Sequence, residues 1–156
     1  MEIERKFLVK GDGWRTGATG SVLVRQGYLT RDPERAVRVR IKGQDAFLTI
    51  KSASRKGEAA LVRAEFEYKL PLQDAVYLLD HLCLRPNIEK RRYLVNGPDG
   101  KRWEIDEFVF PHAGLVLAEI ELAAADEPIA LPDWVGREVT HDPRYANHQI
   151  ATAVLD

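Results

Sequence analysis

The chain has 156 residues, 45% of them hydrophobic, and its 23 lysines and arginines nearly balance its 24 acidic residues. This length suits a single domain over residues 1–156 with a sizeable core, and the even charge excludes a general basic field that would gather nucleic acid. No apolar run approaches the roughly 18 residues that a membrane-spanning helix needs, and Cys83 is the only cysteine in the sequence. We therefore expect a cytoplasmic protein without disulfides, in which charge acts locally.

The sequence also limits the kind of metal site. Besides Cys83, it offers only four scattered histidines, at positions 81, 112, 141 and 148. A zinc site built from thiolates and imidazoles is not expected from so few ligands. Any metal should be a hard cation bound through oxygen.

The first strand carries the most informative pattern. Because side chains alternate along a strand, Glu2, Glu4 and Lys6 share one face, while Ile3 and Phe7 lie on the other. In water this is only a polar strand face. Inside a closed cavity the same face would hold a divalent cation and pair with an anion.

The same alternation returns along most of the chain. It predicts further strands over residues 22–30, 37–42, 47–51, 62–70, 89–95, 101–108 and 115–122. Residues 10–20 contain four glycines and predict a surface loop, and Gly27 indicates a bulge or a close approach by another group.

Two helices are expected. Pro71 opens the first, over residues 72–84, whose apolar side carries Leu72, Val76, Leu79, Leu82 and Cys83. The second begins with Asp142 as its cap and Pro143 in the first turn, and runs from Tyr145 to Leu155.

Charged residues gather on one face of these strands. A single Glu-x-Glu would be explained by a solvated face, but such a face would mix in Ser, Thr, Gln and Asn. Here the faces carry eight acids, Glu2, Glu4, Glu65, Glu67, Glu104, Asp106, Glu119 and Glu121. They also carry nine bases, Lys6, Arg38, Arg40, Lys42, Lys51, Lys69, Lys90, Arg92 and Arg102. We therefore predict an α+β, mainly β fold: a closed antiparallel barrel with a charged, water-filled interior and its apolar faces packed outward against the two helices.

Ordered motifs along the chain resemble one known family. They are Glu2-x-Glu4-x-Lys6, Arg38-x-Arg40, Leu48-Thr49-Ile50-Lys51, Glu65-Phe66-Glu67-Tyr68, Glu89-Lys90-x-Arg92-Tyr93, Glu104-Ile105-Asp106 and Glu119-Ile120-Glu121. In this order they resemble the CYTH domain of triphosphate tunnel metalloenzymes, in its short bacterial form. The resemblance implies a tunnel of roughly eight antiparallel strands, which is wide enough for one small ligand. It also implies Mg²⁺ or Mn²⁺ and a substrate that carries a triphosphate.

The resemblance implies roles for individual residues. Phosphate oxygens would be bound by Lys6, Arg38, Arg40, Lys51, Lys90 and Arg92. The metal would be held by Glu2, Glu4, Glu119 and Glu121, with Glu67 and Asp106 as further candidates. The general base is either Lys90 or a pair formed by Lys51 and Tyr28, and the sequence does not choose between them.

Inorganic triphosphate is the leading substrate, because the short loops offer no clear pocket for an organic group. The alternatives are thiamine triphosphatase, adenylyl cyclase, and a protein that only binds polyphosphate or a nucleotide. Trp14 bears on this choice, since a loop tryptophan would either stack on a ring or cover the barrel end. Neither nucleic acid nor a membrane is expected as a partner, and a homodimer is compatible with the resemblance.

One position departs from the family pattern. Ala146 follows Arg144-Tyr145 where the short bacterial members commonly have a lysine or arginine. If the last helix crosses the barrel end, residue 146 should face the bound anion, and one cation is missing there.

Overall fold

The computed structural model describes residues 1–55 and 57–155. Within them, ten strands form one sheet in which every pairing is antiparallel. The strands are β1 (Glu2–Val9), β2 (Ala18–Thr30), β3 (Arg35–Lys42), β4 (Asp45–Ser52), β5 (Leu61–Arg63), β6 (Glu65–Leu70), β7 (Ile88–Asn96), β8 (Arg102–Phe110), β9 (Val116–Glu121) and β10 (Val135–Glu138).

The sheet closes on itself through a bend at Ala64. Neighbouring strands follow the order β10-β1-β9-β8-β7-β2-β3-β4-β6, and β5 pairs with β1. Because β5 and β6 adjoin at Ala64, the paired path that leaves β1 through β9 returns to it through β5. With β5 and β6 taken as one bent strand, eight strands surround the interior and β10 extends the edge of β1. The predicted barrel of roughly eight antiparallel strands is confirmed.

Where residues 72–82 pack on the barrel wall, both faces of that wall are covered, which explains the strict alternation of charged and apolar residues there. On β3, Val39 is fully buried against Ala75 and Leu79 on the outer side. Arg38 and Arg40, which point the other way, are also buried. The alternation therefore separates an apolar outer layer from a charged interior, rather than a core from solvent.

Part of the outer layer is built around aromatic rings. Trp14 is 1% exposed and packs edge-on to Tyr93, with ring centroids 5.0 Å apart. Trp103 contacts Phe7 and Trp134, at 5.5 Å in each case. Trp14 thus covers the outer barrel wall and is not placed to stack on a substrate ring.

The predicted loop over residues 10–20 and the predicted first helix are both partly wrong. A 3₁₀ turn occupies Gly13–Gly17 and β2 already begins at Ala18. Helix α1 covers only Leu72–Tyr77 and continues as a π-type turn over Leu78–Leu82. The expectation for Gly27 is confirmed, since a Cβ there would lie 2.6 Å from Asn87 Oδ1.

The C-terminal segment differs most from the expected helix. Asp142 caps a 3₁₀ turn at Pro143–Tyr145 by accepting a hydrogen bond from the Arg144 backbone N–H, and helix α2 covers only Asn147–Ile150. Instead of packing outside the barrel, Tyr145 and Ile150 join a buried apolar cluster. That cluster contains Phe108 and Leu117, which share the inward faces of Asp106 and Glu119. The C-terminal segment therefore fills one end of the barrel.

No helix in residues 1–55 and 57–155 has both the length and the hydropathy needed to cross a membrane.

Candidate active site in the central cavity

The strand register brings the charged faces together. Residues directly opposite each other in an antiparallel sheet project to the same side. The opposed pairs that run around the interior are Glu2 with Arg63, Glu4 with Glu121, Lys6 with Glu119, Glu104 with Glu119, Arg92 with Asp106, Gln26 with Arg40, Tyr28 with Arg38, Arg38 with Thr49, Thr49 with Glu67, and Lys51 with Glu65. One continuous polar surface results.

This surface encloses a central cavity of about 80 Å³, which has room for several waters. Its walls are Glu2, Glu4, Arg38, Arg40, Lys51, Glu65, Glu67, Arg92, Glu104, Glu119, Glu121 and Asn147. In the part of the chain that the structure describes, seven carboxylates and four cations therefore line the cavity, a formal excess of three negative charges when every group is ionised.

Five of the six predicted metal ligands, Glu2, Glu4, Glu67, Glu119 and Glu121, border the cavity. Several of them are paired with cations. Lys51 Nζ lies 2.8 Å from Glu2, and Arg63 Nη2 lies 3.2 Å from Glu2 and 3.1 Å from Glu4. No three described His, Cys, Asp or Glu side chains form an assembled metal site. The carboxylates therefore lie around the same cavity, but ion pairs with Lys51 and Arg63 hold Glu2 and Glu4 away from a common metal position.

The carboxylates also act on one another. Burial raises the pKa of Glu4 to about 7, and the neighbouring carboxylates Glu119 and Glu2 add to the shift. Burial likewise raises the pKa of Glu65 to about 7, together with Glu2. Burial alone would raise the pKa of Glu2, but Lys51 and Arg63 outweigh it and lower that pKa to about 2. A divalent cation at this point would relieve the repulsion, so the donor set fits a hard metal ion.

Asp106 has a different setting from the other predicted metal ligands. It is 2% exposed and does not border the cavity. Arg92 donates to both of its oxygens, at 2.8 and 2.9 Å, and Lys90 Nζ lies 2.7 Å from Oδ2. Burial would raise the pKa of Asp106, but Arg92 and Lys90 hold it well below its usual range. The structure makes Asp106 the counter-ion of two cations.

The predicted phosphate ligands fall into two groups. Arg38, Arg40, Lys51 and Arg92 border the central cavity. Lys6 and Lys90 are 2% and 0% exposed and lie behind its wall. Lys6 Nζ donates to the Tyr145 carbonyl at 2.8 Å and lies 3.4 Å from Glu119.

Arg38 and Arg40 are the best-placed anion donors. Arg40 donates to Gln26 Oε1 at 2.8 Å and forms no ion pair with a described carboxylate. Burial, together with Arg38 and Arg92, lowers the pKa of Arg40 to about 9. The buried Nε of Arg38 has no hydrogen-bond partner among the described residues. Such donors favour an anion that replaces their lost water.

The two predicted bases are also separated by the structure. Lys51 and Tyr28 border a chamber of about 10 Å³ beside the central cavity, with Ala36, Arg38, Thr49, Arg63, Asn147 and His148 as its other walls. Burial and Arg38 lower the pKa of Lys51. Burial lowers the pKa of Lys90 to about 8, against the opposing effect of Asp106. Of the two lysines, only Lys51 reaches the cavity.

Sequence reasoning missed several residues of the site. Arg63 has the same parity as Glu65 and Glu67 on the predicted strand, so the alternation contained the signal. Asn147 gave no signal, because it lay inside an expected helix; the same is true of His148, which borders the neighbouring chamber rather than the central cavity. Ala146 does not border the central cavity but an outer pocket, and its neighbour Asn147 borders the central cavity instead.

Comparisons with known proteins agree with this geometry. A family model described as CYTH domain matches residues 1–149. The chain is 45% identical over 149 residues to a protein of Acetivibrio thermocellus named inorganic triphosphatase, with 96% of this chain and 92% of that protein covered. It is 36% identical over 156 residues to a Nitrosomonas europaea protein of the same name, with 98% of each covered.

Solved structures show the same architecture. A crystal structure of an inorganic triphosphatase matches with a TM-score of 0.68 at 32% identity, covering 100% of this chain and 97% of that chain. A protein of Pyrococcus horikoshii matches with a TM-score of 0.62 at 20% identity, covering 81% of this chain and 80% of that one. At 20% identity, the second likeness concerns the fold alone.

Proposed function

Because the chain belongs to the CYTH domain family, whose members are triphosphate tunnel metalloenzymes, we propose that it hydrolyses inorganic triphosphate in its central cavity with the help of Mg²⁺ or Mn²⁺. Two relatives at 45% and 36% identity are named inorganic triphosphatase, which supports this choice of reaction.

The observation that carries the proposal is the excess of carboxylates around a set of phosphate-binding cations. Seven carboxylates and four cations line the cavity, and the buried Lys6, Arg63, Lys90 and Asp106 reduce the excess of negative charge from three to one. Such a surface offers a polyanion alone no net positive charge. A protein that only stored polyphosphate would need the cations without the carboxylates, so the carboxylates support a metal-dependent enzyme.

The metal would be held by Glu2, Glu4, Glu119 and Glu121, with Glu67 as a further oxygen donor. When bound, a divalent cation shields the phosphate charge and lowers the pKa of a coordinated water. In this arrangement Asp106 is not a ligand but orients Arg92, through the two hydrogen bonds at 2.8 and 2.9 Å.

The cations of this chain position the substrate. Arg38, Arg40 and Arg92 present planar donors to the phosphate oxygens, and phosphoryl transfer asks the protein mainly for such positioning and charge stabilisation. A water oxygen forms a bond to the terminal phosphorus while the phosphoanhydride bond breaks. Pyrophosphate leaves with the electron pair and orthophosphate is the other product.

We place the general base at Lys51 with Tyr28. Lys51 borders both the cavity and the small chamber, and burial with Arg38 lowers its pKa. For this role Lys51 must first lose its own proton, which the lowered pKa favours, and its neutral amine would then accept the proton of the attacking water, with the Tyr28 hydroxyl beside it in the chamber wall. Lys90 lies behind the wall against Asp106, where it helps to fix the position of Arg92's counter-ion.

The open side of the cavity favours inorganic triphosphate over a nucleotide. Beside Arg92 lies a pocket of about 210 Å³ lined by Thr19, Gly20, Ser21, Val22, Lys42, Arg92 and Leu94. This lining contains no aromatic ring, and Trp14 is buried in the outer layer. A base or thiazolium ring would find no stacking partner there.

The test is phosphate release from inorganic triphosphate, ATP and thiamine triphosphate, each with Mg²⁺, with Mn²⁺ and with a chelator. We expect metal-dependent release, with a specificity constant for inorganic triphosphate at least ten times those for the other two. Similar constants for ATP would show that the pocket beside Arg92, the mouth of the cavity, binds adenosine, and cyclic AMP as a product would indicate a cyclase. Binding of triphosphate without release in either metal would favour the storage protein.

A further inference from the structure

Three cavities adjoin along one side of the barrel, each sharing wall residues with the next. Arg38, Lys51 and Asn147 border both the central cavity and the small chamber. Arg63 and His148 border both that chamber and an outer pocket of about 270 Å³. The other walls of the outer pocket are Pro33, Ala53, Ser54, Leu61, Thr140, His141, Asp142, Pro143 and Ala146. This series is distinct from the pocket beside Arg92, which shares no residue with the chamber or the outer pocket.

We propose that this series is a second passage into the barrel, through which the orthophosphate product leaves. The proposal rests on the proposed triphosphatase function and adds the route by which each product leaves. Pyrophosphate remains at the carboxylate-lined cavity and leaves by the mouth beside Arg92. The single phosphate leaves past Arg63, Asn147 and His148.

Charge is distributed along the passage in a way that suits this separation. The chamber is bordered by three cations, Arg38, Lys51 and Arg63, and by no carboxylate among the described residues. The central cavity has seven carboxylates in its walls, and the outer pocket has Asp142, which is paired with Arg144 at 2.7 Å. Arg38 and Lys51 border both compartments, so the difference between them is the absence of carboxylates from the chamber walls, and an anion freed from its metal meets less repulsion there.

The chamber also offers unused hydrogen-bond donors. The Nε atoms of Arg38 and Arg63 are buried and have no partner among the described residues. Tyr28 and Thr49 add hydroxyl groups to the same walls. Buried donors without partners are uncommon, and a transient oxyanion would satisfy them.

The small chamber is the neck of the passage, and it must open for phosphate to pass, because a volume of about 10 Å³ holds about one water. Asn147 and His148 belong to α2, a helix of four residues. One end of α2 is tied by His112 Nε2, 2.7 Å from the Ile150 carbonyl. A small shift of this short helix would widen the neck without breaking the sheet.

His148 is uncharged at the neck, so it does not hold the leaving phosphate there. Burial lowers the pKa of His148 to about 4, with further lowering by Arg63, Lys6 and Lys51. The imidazole is therefore neutral at neutral pH, and its ring packs edge-on to Tyr28 with centroids 6.5 Å apart. A fourth cation at the neck would hold phosphate in the chamber.

The test separates phosphate formed from phosphate released. Acid-quenched samples report the total orthophosphate formed, and a fluorescent phosphate-binding protein reports the free orthophosphate. His148→Trp obstructs the neck, Ala146→Trp fills the outer pocket, and Val109→Trp on the exposed outer face of β8 is the size-matched control. In both obstructed variants we expect a first turnover within twofold of the wild-type rate, a lag in free phosphate, and a kcat at least tenfold lower.

The control variant should behave as the wild type, which excludes a general effect of the added ring. A cooperative thermal transition shows that an obstructed variant is folded, and one folded variant is enough to test the passage. Free phosphate that appears as fast as total phosphate, at the wild-type rate, would overturn the passage. So would an equal loss in first turnover and kcat, since that would place the defect in the chemical step. A wild-type protein that forms no phosphate would instead refute the proposed function, and the passage with it.

Discussion

Lys51 Nζ lies 2.8 Å from Glu2 Oε1, so a cation expected to bind phosphate is paired with a carboxylate expected to bind metal. Arg63 joins the same pair and extends it to Glu4. In the free protein the two halves of the site therefore neutralise each other. Binding of metal and triphosphate must exchange these internal pairs for ligand contacts, and the site binds both ligands best when they are present together.

Glu121→Gln and Glu4→Gln should each lower kcat/KM for triphosphate by about 100-fold or more, because each removes a ligand charge without changing volume. Glu121 is the cleaner test, since it forms no ion pair with a described residue. Steady-state kinetics at saturating Mg²⁺ measures the effect, and Asp126→Asn, an exposed acid outside the barrel, is the control. Activity within a few-fold of the wild type in both Glu variants would remove the metal assignment.

Asp106→Asn should lower the stability of the protein and leave metal binding largely intact. Removing one partner from a buried ion pair leaves the others unpaired, so we expect the free energy of unfolding in urea to fall by about 3 kcal/mol. The rise in Tm that Mg²⁺ causes in the wild type should persist in this variant and disappear in Glu121→Gln. Loss of the Mg²⁺ effect in Asp106→Asn would show that Asp106 is a metal ligand after all.

Positions 146 and 147 should respond differently to an added cation. Asn147 borders the central cavity and Ala146 only the outer pocket. Asn147→Lys should lower KM for triphosphate several-fold, on the order of 1 kcal/mol for a partly solvated contact, and should also lower kcat, because Asn147 borders the chamber through which we propose that phosphate leaves. Ala146→Lys should leave KM within about twofold of the wild type. The reverse result would restore the sequence-based placement of residue 146 at the tunnel end.

His148 should make the protein less stable in acid. Its pKa in the folded protein is lowered to about 4 from an ordinary value of 6.5, so between these values the unfolded chain binds more protons. The stability that depends on a neutral imidazole is present above pH 6.5 and is lost as the pH falls toward 4. Urea unfolding of the wild type and His148→Gln at several pH values measures the difference. A constant difference across this range would show that His148 is not buried in its neutral form.

Much of the fold could be predicted because one physical pattern repeats in every strand. Period-two alternation of charged and apolar residues fixes which face points inward, as Arg38 and Val39 illustrate. β10 was missed because its four residues carry little pattern of their own. It exists through pairing with β1, where Phe7 lies opposite Glu138, far along the sequence.

A site residue could be predicted only where the strand face and the charge of its side chain were enough to place it in the cavity. The inward position of Arg63 could be predicted, because it alternates in step with Glu65 and Glu67, although the bend at Ala64 interrupts that strand. The role of Asp106 as a counter-ion could not be predicted, because Asp106 and Glu104 lie on the same face of the same strand. Only the register beside Arg92 reveals it as a counter-ion. The C-terminal segment was misread for a related reason: Tyr145 and Ile150 bury themselves in the barrel end, and this tertiary packing outweighs the helical pattern.

The most direct measurement follows the phosphorus nuclei themselves. ³¹P NMR of inorganic triphosphate with the wild-type protein should show equal amounts of pyrophosphate and orthophosphate appearing with Mg²⁺ or Mn²⁺, and none in chelator. Glu121→Gln should slow this conversion by about 100-fold or more. An unchanged triphosphate spectrum with both metals, or conversion at the same rate in chelator, would contradict a metal-dependent triphosphatase.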